Sequence, residues 1–315
     1  MAHAVAKLYY GATSFWSAVV RMTVVEKGYG DDEVDFRLVD LSAGDNYKPE
    51  YLLINPYATV PALVVPLEKS IGPDMEVKYK ALTDSKPIVE FLDKSRSILS
   101  STNTTSAAPA PVLTPATISH LNTSAKIIDT VRGQPSIAAY TWSARSEREV
   151  LAKANSPLGA MIRVRFTKLQ KLLADEDSFV PQKALAALHE RFPRIAAAAK
   201  AVEAVLVDVP SRTPEQKAAI DAHLAESNIV WTDGLSKQLA VFEQEVVGPM
   251  CLGDQVSLAD MYLAAWVTRL VSLSGGDGSP GGITKIPGVG PKITAFWETI
   301  IERPSWKAVY GEKLF

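Results

Sequence analysis

The sequence is short of cysteine, of histidine and of any charge excess, and each shortage removes a class of protein. One cysteine, Cys251, stands in 315 residues. That excludes an internal disulfide and fits a reducing compartment. The four histidines, His3, His120, His189 and His223, are scattered without metal-ligand spacing, so no metal site is expected. Net charge is −2. There is no basic surplus for nucleic acid and no polybasic patch for a membrane surface. Long apolar runs are also missing. The first residues, Met1 to Lys7, contain none, so neither a signal peptide nor a membrane span is expected. What remains is 47% apolar and 22% charged, the balance of a soluble globular chain whose length suggests two domains.

The stretch Asn55-Pro56-Tyr57-Ala58-Thr59-Val60-Pro61-Ala62-Leu63 organises the first part of the chain. Asn-Pro reads as a turn and Pro61 as the first position of a strand, where proline loses no ladder bond. A cis Val60-Pro61 bond would turn the Val60 backbone groups outward, toward an extended ligand. Before it, residues 7–10 read as a strand and residues 15–27 as a helix of helical apolar spacing, ended by a left-handed Gly28. A second strand covers 34–39, and a polar loop with a short helix covers 43–54. After it, strands at 61–66 and 77–82 read as antiparallel, joined by a turn at Gly72-Pro73, and a helix follows over 84–95.

Residues 96–116 change character. The run 100–111 is Ser, Thr and Pro-rich and reads as a linker or a mobile surface loop. Beyond it the pattern is helical: 118–132, 158–174, an alanine-rich 183–208 that Pro193 should bend or break, then 213–226 and 234–247. Ser257-Leu258-Ala259-Asp260 reads as a capping box opening another helix, with Val256 and Met261 placed as a staple. The glycine-rich run 274–282 reads as a flexible loop, and a last helix spans 292–301.

The order strand, helix, strand, proline-initiated strand, strand, helix resembles the thioredoxin-like half of the glutathione transferase superfamily. The residues that carry the resemblance are Asn55-Pro56, Val60-Pro61-Ala62-Leu63, Asp84-Ser85 with Ile88, and Ser257-Leu258-Ala259-Asp260. It implies an α/β plus all-α fold: a thioredoxin-like domain over 1–95 with a mixed four-stranded sheet, a linker over 96–116, and a helical bundle over 117–315. The run 175–230 is longer than a compact member needs and is expected to be an inserted helix pair. The capping box is a folding signal in that family, not a site.

A glutathione site must hold a charged tripeptide and keep its sulfur ionised. A thiol is mostly protonated at neutral pH, and only the thiolate attacks. A hydroxyl at a helix N-terminus meets the second need. By resemblance to the serine-type classes, fungal-like or theta/omega-like, Ser14 is the expected donor, although Phe15 stands where a proline often follows. Tyr10 is the first alternative, with Ser17 and Thr13 weaker ones, and Arg21 falls where many members keep an arginine. Mixed-disulfide chemistry is not expected, because this loop has no cysteine. The resemblance also assigns Val60, with Pro61, to the cysteinyl backbone, Asp84 and Ser85 to the γ-glutamyl group, and Lys48 to the glycyl carboxylate. Phe15, Trp16, Tyr140 and Trp142 are expected to line an apolar pocket for the second substrate. Cys251 reads as packed core.

The function so implied is a cytoplasmic, dimeric detoxification enzyme. It would transfer the glutathione thiolate to small hydrophobic or aromatic electrophiles, by thioether formation, aryl-ether cleavage or peroxide reduction. The other class kept open is a non-catalytic ligand-binding or regulatory protein of the same fold.

Overall fold

The structure is a computed structural model that describes residues 5–66, 79–97, 106–175 and 180–315. The expected turn at Gly72-Pro73 and the first part of the Ser/Thr-rich run lie outside the described residues.

Four strands form one sheet: β1 (Ala6–Tyr10), β2 (Val34–Leu38), β3 (Ala62–Pro66) and β4 (Tyr79–Leu82), in the order β2-β1-β3-β4. β1 and β2 are parallel, and the other two pairings are antiparallel. A parallel pair needs a crossover, and α1 (Phe15–Glu26) supplies it. Leu8, at the centre of β1, is fully buried and pairs with Phe36 on one side and Leu63 on the other. α1 stops at Gly28, whose φ of +67° accepts the left-handed cap. Tyr29 N–H then bonds back to Val24 C=O at 3.2 Å. α3 (Ser85–Ser95) packs on α1 and β3. The arrangement is thioredoxin-like, as expected. The Val60-Pro61 peptide is cis, and so is Gln134-Pro135, which nothing in the sequence singled out.

The rest of the described chain is helical: α2 (Pro49–Ile54), α4 (Ile118–Arg132), α5 (Ile137–Trp142), α6 (Glu147–Ala154), α7 (Pro157–Ala174), α8 (Gln182–Val205), α9 (Pro214–Ile229), α10 (Leu235–Glu245), α11 (Leu258–Leu273), α12 (Pro291–Ile300) and α13 (Pro304–Tyr310). By contact the chain divides into two units, 1–38 with 60–137 and 236–315, and 39–59 with 138–235.

The first unit holds the whole sheet and is centred on α11, which is apolar and buried nearly all round. α1 and α4 pack on this centre, and α13 packs on α1 and reaches α11 through Trp306 Nε1, which donates to Thr268 Oγ1 at 2.9 Å. The described part of the connection after α3 is strapped down rather than loose. Arg96 donates to Lys27 C=O (2.6 Å), Ser106 C=O (3.0 Å) and Ala108 C=O (3.0 Å). Asp93 accepts from the N–H groups of Leu113 and Thr114, both at 2.9 Å, and pairs with the fully buried Lys27 at 2.9 Å. The glycine-rich run 274–282 is built as well, contrary to the flexible loop expected. Trp297 Nε1 donates to Ser279 C=O at 2.9 Å. A Cβ on Gly282 would stand 2.0 Å from Asp277 C=O, so here glycine marks close packing, not freedom.

The second unit has two apolar clusters. Leu169 of α7 and Ala184 and Leu188 of α8 enclose Tyr47, Leu52 and Ala58. Ile162, Val202, Val205 and Ile220 form the other. α8 continues through Pro193, which does not break it. Packing on both flanks holds the helix: Phe192 stacks on Phe166 at 5.8 Å, and Leu188 and Ile195 join the first cluster. A π-turn, Val230–Gly234, joins α9 to α10.

Candidate active site

The glycine-containing loop after β1 delivers Ser14 to the N-terminus of α1. Ser14 is the N-cap, in extended conformation, and its Oγ accepts from Ser17 N–H at 3.3 Å. Accepting uses an oxygen lone pair, so the hydroxyl proton stays available for a ligand. Ser17 is placed differently. It is fully buried, and its Oγ accepts from Gly11 N–H at 3.1 Å, which braces the loop and leaves no surface for a ligand. Tyr10 is half-buried, edge-on to Phe36 at 5.8 Å, with the Arg21 guanidinium 5.2 Å above its ring. Thr13 is exposed, and its carbonyl accepts from Arg269.

The second focus is the N-terminus of α3. Asp84 is its N-cap and accepts from Lys86 N–H at 2.8 Å. Arg132, the last residue of α4, meets Asp84 through two parallel bonds of 3.0 Å, and its Nη1 also donates to Ser85 Oγ at 3.2 Å. Ser85 Oγ lies 3.4 Å from the Tyr262 hydroxyl of α11. Burial works to raise the Asp84 carboxyl, but the bonds from Arg132 and Lys86 N–H, with the Arg132 charge, outweigh it and hold the group below its ordinary value. Burial pushes the Tyr262 phenol up to about 12, so at neutral pH it is a neutral donor or acceptor. The Arg132 guanidinium also stands 5.7 Å from the Trp16 ring, and Trp16 lies edge-on to Tyr262 at 6.3 Å. α1, α3, α4 and α11 thus bring an acid, a hydroxyl, a guanidinium, a phenol and an indole together. The set suits an amino-acid head group: the carboxylate for an ammonium, and the hydroxyl, guanidinium and helix N-terminus for a carboxylate.

Sequence reasoning named Asp84 and Ser85 and did not name Arg132 and Tyr262, which the structure brings beside them. A basic residue in the last turn of 118–132, and a tyrosine two residues after Asp260, were the only signals.

The other expected residues fall as follows. Val60 is buried beside the cis bond to Pro61, ahead of β3. Phe15 is buried against Trp16, with ring centres 4.5 Å apart. In the second unit, Lys48 is exposed and pairs with Asp45 at 2.8 Å. Tyr140 is fully buried, edge-on to Trp231 at 5.4 Å, and offers no surface. Trp142 is half-buried with the Arg165 guanidinium 5.7 Å from its ring. Cys251 is fully buried and its thiol is pushed up by burial and by Asp260, the opposite of an activated nucleophile. Among the described residues no group of three or more His, Cys, Asp or Glu side chains could hold a metal ion. No described helix is long and apolar enough to cross a membrane.

The fold and these two helix N-termini define a thioredoxin-like domain joined to a helical region. Residues 13–95 match the family model described as glutathione S-transferase, N-terminal domain. The match supports the glutathione transferase superfamily, spans about a quarter of the chain and does not distinguish a class. No match is found among curated proteins. Solved structures similar to this chain include a maleyl pyruvate isomerase, a bacterial glutathione S-transferase in Zeta class, at 17% identity, TM-score 0.48, covering 96% of this chain and 95% of that one. A glutathione transferase homolog from Sulfitobacter with bound glutathione matches at 18% identity, TM-score 0.48, over 100% of both chains. A glutathione S-transferase from Methylobacillus flagellatus with glutathione bound matches at 18% identity, TM-score 0.47, over 96% of this chain and 98% of that one. At these identities and scores none of them informs the activity.

Proposed function

We propose that the chain is a serine-type glutathione transferase. The observation that carries this reading is the convergence of Asp84, Ser85 and Arg132 at the N-terminus of α3. The γ-glutamyl ammonium takes Asp84, and its carboxylate takes Ser85 and Arg132. The cysteinyl backbone pairs with Val60. Lys48, released from Asp45, is the expected partner of the glycyl carboxylate. The thiol loses its proton to solvent, and the Ser14 hydroxyl donates to the sulfur that remains, at the positive end of α1. The thiolate then attacks an electrophilic carbon: the carbon–sulfur bond forms and a halide or aryloxide leaves. With a hydroperoxide, the thiolate attacks the outer oxygen, the O–O bond breaks, and the alkoxide takes a proton from solvent and leaves as an alcohol. A second glutathione then converts the sulfenic acid to a disulfide and water.

Trp16 supplies half-buried aromatic surface beside Arg132, suited to small aromatic electrophiles. A homodimer, the cytoplasm and a detoxifying role belong to the same proposal by resemblance. The test is glutathione binding by calorimetry, together with turnover of an aryl halide or isothiocyanate. Binding with a rate above background supports the enzyme. Binding without turnover favours the non-catalytic class instead, and no binding removes the glutathione transferase reading. Sedimentation at micromolar concentration checks the dimer.

A further inference from the structure

We propose that Arg269 is a positioning residue that holds the Ser14 loop and promotes ionisation of a thiol bound there. The proposal rests on the glutathione reading above and adds a residue outside the tripeptide contacts. Arg269 lies on α11 and reaches the loop before α1, where its Nη2 donates to Thr13 C=O at 2.7 Å. Its Nε is sealed from solvent and has no hydrogen-bond partner among the described residues. None of the ion pairs among the described residues includes Arg269. Its guanidinium instead stands 5.7 Å from the Phe315 ring.

Arg269 is half-buried as a residue, but its Nε is shut off from solvent, and a cation held against protein without a carboxylate is costly. Here the uncompensated charge is one residue from Ser14. It has the same sign as the N-terminal end of α1, which Ser14 caps. The bond to Thr13 C=O also polarises the Thr13–Ser14 peptide, whose N–H donates to Gly11 C=O at 3.1 Å, so the same contact tightens the loop turn that presents Ser14. The groups facing this region from other elements are Tyr310 of α13, whose phenol Arg269 and Arg21 both act to lower, and Tyr10 of β1 beneath Arg21. Burial raises Tyr310 well beyond its ordinary value, so it adds no negative charge at neutral pH. Arg269 itself is lowered by burial, with Tyr310 opposing, as for a cation lacking a counter-ion. The local field therefore favours an anion at Ser14.

The experiment titrates the thiolate absorbance of bound glutathione in wild type, Arg269→Gln and Arg269→Met. Methionine fills the space beside Phe315 should glutamine fail to fold. The ionisation midpoint should rise by about one pH unit in either neutral variant, while glutathione affinity stays within about twofold. Turnover should fall about tenfold near pH 6.5 and return toward the wild-type rate near pH 9, where the thiolate forms unaided. Arg269→Lys, which keeps the charge, should bring the midpoint back toward wild type. A folded neutral variant with an unmoved midpoint overturns the proposal, as does a rate loss equal at all pH. A wild type that fails to bind glutathione overturns the underlying reading as well, and the two failures are distinguished because that one is seen without any variant.

Discussion

Ser14 and Ser257 cap two helices of the same unit with the same residue, and their surroundings differ. Ser257 is buried, and its N–H and hydroxyl both donate to Asp260 Oδ2 at 2.7 Å. Asp260 Oδ1 accepts from Cys251 N–H at 2.6 Å. Every strong group there is used inside the protein. Ser14 is half-buried, has no acid three residues on, and its hydroxyl takes part in one long bond of 3.3 Å. A capping serine closed by a carboxylate is structure, whereas one left open at a helix N-terminus can turn its hydroxyl to a ligand.

The largest effect that would sharpen this contrast is Asp260→Ala. It strands three donors in a buried place and should cost about 3–5 kcal/mol, read as a lower urea midpoint. Ser14→Ala should cost only about 1 kcal/mol of stability, the usual loss of a cap. Its cost should appear in turnover instead, where kcat falls about 100-fold as for a lost oxyanion donor. If Ser14→Ala destabilises as much as Asp260→Ala and leaves kcat intact, the contrast is broken. Should Tyr10→Phe abolish turnover instead, the donor is Tyr10. Arg132→Gln removes the charged half of the head-group site and should raise the glutathione Kd about tenfold in calorimetry.

Asp84 offers a smaller, pH-dependent check. Its folded carboxyl is held below the unfolded value of about 3.9, so it stabilises above that pH and loses the contribution as pH falls through the folded value. Asp84→Asn should flatten the acid limb of the stability curve by less than about 1 kcal/mol, because the side chain is half exposed. The smallest effect is Lys48→Ala. The exposed amine is already paired with Asp45, and glutathione affinity should change by no more than about twofold.

Local chemistry was legible in the sequence, and long-range chemistry was not. The capping residues Ser14, Asp84 and Ser257 announce themselves within four residues, and Pro61 by its neighbours. α4 and α7 follow from apolar spacing. Arg132 meets Asp84 across 48 residues of sequence, and no local pattern marks that pair. The strap was misread because its Ser/Thr/Pro composition hides Ala110 and Leu113, which are buried, and because two of its holders, Lys27 and Asp93, lie in other segments. Glycines at 276 and 282 looked like freedom and mark close packing. Pro193 looked like a break, yet core contacts on both sides override one missing bond.

Lys27 turns the strap into a built-in reporter. Its amine has no solvent exposure, sits against Asp93 at 2.9 Å and donates to Pro111 C=O. An amine-directed reagent that marks surface lysines such as Lys126 and Lys307 passes this one by while the segment 106–116 stays in place. Tagging of Lys27, followed by mass spectrometry over time, therefore counts how often the strap lifts. The count needs no substrate and no substitution.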